Sequence, residues 1–133
     1  MSNSQAIGVA YLDPEFSTCY ATQEIGYATA AQGTVTQATD KTTGVTLNKS
    51  AGRITMNGAA LAGNTAVSFT LTNNLISLND TIIVCISAGA TAAAYTTYVS
   101  SLAVGSAVIT LRNLTGGSLS EAVVVNYAII HGQ

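Results

Sequence analysis

The chain has 133 residues, only 8% of them charged, with four Lys+Arg against six Asp+Glu and a formal net charge of -2. That is one domain's worth of chain, long enough to bury a core without disulfide or metal staples. Four scattered cations exclude a nucleic-acid-binding surface and a polybasic membrane patch, since both need clustered Lys and Arg.

Residues 1–32 hold the sole proline, Pro14, two of the three glutamates and three of the six tyrosines, and they alternate poorly. They read as an N-terminal arm, partly extended, with one short strand around residues 25–30. The opening residues lack the positive and apolar regions of a secretory signal. No segment has the roughly 20 apolar residues of a membrane-spanning helix. Synthesis in a cytoplasm is therefore expected, with free thiols.

Residues 33–133 form the body, and its texture is that of β-strands. Val45 and Leu47 share one face of a short strand. Ile54 and Met56 share another, opposite Arg53, Thr55 and Asn57. Val67, Phe69 and Leu71 alternate with Ser68, Thr70 and Thr72. Ala107, Ile109 and Leu111 point inward, with Thr110 and Arg112 outward. A period of two puts one face on a core and the other in water. Two runs, residues 81–87 and 122–130, are apolar on both faces and rich in β-branched residues, so they read as strands needing a second covering surface. The arm or a neighbouring subunit would supply it. Residues 87–94, rich in Ala and Gly, read as a loop or short helical turn.

Turn signals fall between these runs at Asn57-Gly58, Gly63-Asn64, Asn73-Asn74, Asn79-Asp80 and Gly116-Gly117. Gly and Asn accept positive φ, and Asn and Asp side chains bond nearby backbone. Gly116-Gly117 reads as a hairpin between the last two strands. About eight strands at this spacing predict an all-β fold: an antiparallel β-sandwich, jelly-roll-like, behind the extended arm.

Catalytic readings fail on inventory. His131, the only histidine, lies two residues from the C-terminus, and a triad, a Cys–His dyad or a zinc site would each need it. There is no G-x-S-x-G elbow, G-x-G-x-x-G or P-loop. Asp13 and Glu15 flank Pro14 without a calcium-loop pattern. Asp40-Lys41 reads as a solvated pair, Asp80 as a turn former, and Glu121 with Arg112 as a cross-strand pair. Cys19 and Cys85 form no CxxC, and Cys85, inside an apolar run, is expected as a buried free thiol. Sequons at Asn48, Asn79 and Asn113 read as chance matches. No catalytic, cofactor-binding or metal-binding residues are expected, and no cofactor.

Interface chemistry is better represented. A surface kept polar by Thr, Ser, Asn and Gln is cheap to desolvate and weakly protected against association. Tyr11, Phe16, Tyr20 and Tyr27 stud the arm. Tyr95 and Tyr98 fall on opposite faces of one strand, so one of them points away from the core. Arg53 and Arg112 sit on outward faces, where guanidinium serves interface hydrogen bonds. The candidate interface is therefore Tyr11, Phe16, Tyr20, Tyr27, Arg53, Tyr98 and Arg112.

A series of motifs runs through the body. It comprises Gly33-Thr-Val-Thr-Gln37, Thr43-Gly-Val-Thr-Leu-Asn-Lys49, Gly52-Arg-Ile-Thr-Met56, Val67-Ser-Phe-Thr-Leu-Thr-Asn73, Ser87-Ala-Gly-Ala-Thr91, and Ile109-Thr-Leu-Arg-Asn113 leading into Gly116-Gly-Ser-Leu-Ser-Glu-Ala122. In this order it resembles a β-rich domain of tailed-bacteriophage virion proteins, over about residues 33–130. A domain standing almost alone behind a short arm looks like a capsid decoration, or cement, protein. The resemblance implies a place on the capsid exterior of the virion, after synthesis in the host cytoplasm. It implies as partners the major capsid protein and further copies of the chain, a trimer before a dimer, with no nucleic acid and no membrane. It implies no catalytic residues. The alternative is a receptor- or glycan-binding knob of a fibre or tail protein; the absence of Trp weakens the sugar reading.

Overall fold

Alternation along the sequence becomes alternation of burial. In a strand over Ala66–Thr72, Phe69 and Leu71 are buried while Ser68, Thr70 and Thr72 face solvent. The computed structural model describes residues 15–132. It contains eight strands: β1 (Gln32–Thr36), β2 (Val45–Thr46), β3 (Ala51–Thr55), β4 (Ala66–Thr72), β5 (Thr81–Ala88), β6 (Tyr95–Ala103), β7 (Ser106–Asn113) and β8 (Val124–Ile130). Sheet A has the order β1-β3-β8-β5 and sheet B the order β2-β4-β7-β6. The expected eight-stranded all-β sandwich is the fold adopted.

The sheets are mixed, not purely antiparallel. β1 runs parallel to β3, and β2 parallel to β4, whereas the other four pairings are antiparallel. The chain visits the sheets in the order A, B, A, B, A, B, B, A. Two crossings return it to the first sheet pointing as before in each of the parallel pairs. This mixed order takes the place of the all-antiparallel jelly roll. Gly116-Gly117 forms no hairpin, because β7 and β8 lie in different sheets and the segment between them crosses over. The tight hairpin is β6–β7, turning through Val104-Gly105 with Gly105 at φ 79°. The short strand expected around residues 25–30 is instead a 3-10 turn, Thr29–Ala31, closed locally by Ala31 N–H donating to the Ala28 carbonyl.

Between the sheets lie Ile54, Met56, Phe69, Leu71, Ile109, Leu111, Val123, Val125, Tyr127 and Ile129, all buried. Gly52 leaves room for the Tyr127 ring: a Cβ there would come within 2.6 Å of both Tyr127 and Leu47. The Tyr127 hydroxyl donates to the Lys49 carbonyl at 2.9 Å and accepts from Asn73 Nδ2 at 3.2 Å. Burial pushes that hydroxyl's pKa up to about 12.

So many crossings put backbone into the interior, and buried backbone must be paired. Polar side chains meet the demand. Asn73 Nδ2 donates to the Lys49 carbonyl at 2.8 Å. Asn113, fully buried, donates to the carbonyls of Leu61 and Gly117 and accepts from Thr115, so its sequon is closed to modification. Gln37 holds the Lys41 and Thr43 carbonyls with Nε2 and accepts from Asn57 N–H.

Lys41 corrects the sequence reading most sharply. Far from being half of a solvated pair, it is 3% exposed. Its Nζ donates to the Asn57 carbonyl and, at 2.6 Å, to the Glu121 carbonyl. Burial lowers its pKa, and the Glu121 carboxylate partly offsets this. The neighbouring Asp40 turns away to accept from Thr42 and Thr43. The ammonium thus ties the β1–β2 crossing to the segments after β3 and before β8. Lys41→Met keeps the stem but leaves two carbonyls unsatisfied. It is expected to lower unfolding free energy by about 1–3 kcal/mol, measured by urea denaturation; an unchanged midpoint would show that the tie contributes nothing.

Candidate functional site

The two sheets present unlike outer faces. Sheet B's is lined with hydroxyls that bond one another: Ser68 Oγ and Thr110 Oγ1 lie 2.7 Å apart, and Thr110 Oγ1 donates to Ser100 Oγ at 3.0 Å. These neighbours bury Thr110, which the alternation had placed in solvent. Tyr98 and Arg112 lie on this face on adjacent strands, each opposite a threonine.

Sheet A's outer face is more apolar. On edge strand β5, Ile82, Val84 and Ile86 turn inward, leaving Ile83 and Cys85 outward. Cys85 is therefore exposed, not the buried thiol expected. β8 adds Ala128 and Ile130 to this face, and β3 adds Ala51 and Arg53. Ile83 is 53% and Ile130 55% exposed. The second covering surface that the doubly apolar runs call for is absent among the described residues. One cross-strand row reads Arg53, Asn126, Cys85. Asn126 Oδ1 is buried there without a hydrogen-bond partner among the described residues. Beside it opens a groove of about 440 Å³, lined by Gln32, Thr34, Arg53 and Asn126 among others.

Among the described residues the arm is tied to the body at its root. Tyr27 donates its hydroxyl to the Ile129 carbonyl at the end of β8, and Gln32 Nε2 donates back to the Tyr27 carbonyl at 2.9 Å. Lys49 Nζ holds the Ala30 carbonyl at 2.9 Å. Residues 15–26 are exposed throughout. Phe16, Tyr20 and Ile25 stand 68%, 89% and 87% exposed. Tyr11 lies outside the described residues, as do Asp13 and Pro14.

The seven sequence-selected residues thus fall into three places, with Tyr11 undescribed. Phe16, Tyr20 and Tyr27 are on the arm, Arg53 is on the outer face of sheet A, and Tyr98 with Arg112 is on the outer face of sheet B. Sequence reasoning missed Ile83, Cys85, Asn126 and Ile130 as surface residues. Their apolar run carried the signal that both faces matter, but not which face stays open.

Glu121, His131 and Asp80 are engaged structurally. Glu121 accepts from Thr91 N–H and, at 2.7 Å, from Thr91 Oγ1, so it does not pair with Arg112. Among the described residues no three His, Cys, Asp or Glu side chains group to hold a metal ion. His131 Nδ1 lies 3.1 Å from Asp80 Oδ1 and clasps the end of β8 to the turn before β5. Asp80 also accepts from Ser77 N–H and Oγ and from Gly132 N–H. Comparison with known proteins finds no family model, curated relative or solved structure that matches the chain.

The Ser77 backbone hydrogen bond and these other donors lower the Asp80 pKa from 3.8 to about 2. A carboxyl depressed in the folded state stabilises the fold above its unfolded pKa, and that stabilisation disappears as pH falls through the folded value. Asp80→Asn is therefore expected to be less stable than the parent above pH 4. The gap should shrink between about pH 4 and pH 2, read from urea midpoints across that range. A gap independent of pH would contradict this.

Proposed function

We propose that this chain is a non-catalytic structural protein of a phage virion, a decoration protein that clamps the outside of the capsid where major capsid subunits meet. The observation that carries the reading is the coexistence of two uncovered apolar surfaces on one small, sparsely charged body. One is the outer face of sheet A, the other the arm with Phe16, Tyr20 and Ile25. Exposed large apolar patches mark places where partners bind. A body held by buried polar ties, with an arm whose described residues meet it at the root, suits a clamp: the body sits on one subunit while the arm reaches another. The resemblance of the motif series to virion proteins supplies the kind of assembly.

A protein that binds the assembled lattice but not free subunits stabilises the lattice by mass action. Purified chain is therefore expected to bind expanded heads, and decorated heads to release DNA at a higher temperature than bare ones. Equal release temperatures would refute the clamp. Gold label on the tail of virions instead of the head would refute the capsid location and favour a fibre knob.

A further inference from the structure

We propose that the arm of one copy packs across the outer face of sheet A of a second copy, with Glu24 against Arg53 and Tyr20 against Ile83 and Ile130. This deepens the assembly reading and needs no capsid, so its failure on purified protein leaves capsid binding to be judged separately.

Charge selects the partner. Residues 1–32 contain Asp13, Glu15 and Glu24 and no Lys or Arg, whereas residues 33–133 contain all four cations and three acids. The body's acids are engaged internally: Asp40 with Thr42, Asp80 with His131 and Ser77, Glu121 with Thr91. Arg53 has no carboxylate partner among the described residues. An acidic arm and a body whose outward cations Arg53 and Arg112 lack a carboxylate partner among the described residues are complementary parts of one chain, and of the two only Arg53 shares its face with exposed Ile83 and Ile130. Yet residues 15–26 lie exposed, off the face of their own body.

Spacing selects the register. In an extended segment Phe16, Tyr20 and Glu24 point the same way, each about 13 Å from the next. On sheet A, Ile83 is two strands across and two residues along from Arg53, and Ile130 one strand across and four residues along. Those offsets are about 12 Å and 14 Å. Glu24 on Arg53 therefore brings the Tyr20 ring over Ile83 and Ile130. The Asn126 amide, in the same row as Arg53, lies beside this path.

The test uses full-length chain with reversed charges. Glu24→Arg gives arm and face the same positive sign, and Arg53→Glu gives both a negative sign. By light scattering, the parent is expected to be oligomeric and each variant alone to shift to the 13.5 kDa monomer. An equimolar mixture should leave the monomer mass and form mixed oligomers of alternating variants, because each arm then meets an opposite face on the other variant. A monomeric parent, variants that keep the parent's mass, or a mixture that stays monomeric would each overturn the proposal. Circular dichroism confirms that each variant is folded, so loss of mass reports the contact.

Discussion

The structure depends on one constraint: a chain that changes sheet at nearly every connection must satisfy the backbone it carries through the interior. Apolar side chains cannot do this, and unpaired buried carbonyls and amides are costly. The fold therefore uses Lys41, Gln37, Asn73, Asn113 and Asp80 as internal ties, all buried. Each holds a crossing against a neighbour that is distant in sequence. Parallel pairing of β1 with β3 and of β2 with β4 follows from the same alternation of sheets.

That constraint also shapes the surface. In a chain with ten charged groups, committing Lys41 and Asp80 to the interior leaves few for the exterior. Asp40 and Glu121 are held in turns and crossings. The body then meets water mostly through hydroxyls, amides and, on sheet A, aliphatic side chains. Low charge is usual neither for solubility nor for staying monomeric. It fits a body that spends its working life covered.

The strands were legible because half-buried strands must alternate, and Phe69, Leu71, Ile109 and Leu111 do so cleanly. The sheet to which each strand belongs was not legible. Gly116-Gly117 has the chemistry of a hairpin turn and serves a crossover, because glycine permits both. Lys41 looked like a surface residue because lysines usually are; only long-range contacts with Asn57 and Glu121 place it inside. The run over β5 is apolar on both faces, and among the described residues only the inner face is covered. Its Cys85 was then assigned to the interior, whereas strand period places it outward with Ile83. The bonds of Tyr27 to Ile129 and of Lys49 to Ala30 depend on long-range placement and left no mark in the sequence.

The central claim is that the outer face of sheet A is covered when the protein is assembled. Cys85 reports on that face directly. In a Cys19→Ser background, maleimide labelling of Cys85 should be slow in the assembled protein and fast in the same background carrying Arg53→Glu. Equal, fast labelling in both would show the face open to solvent in the assembly and contradict the account.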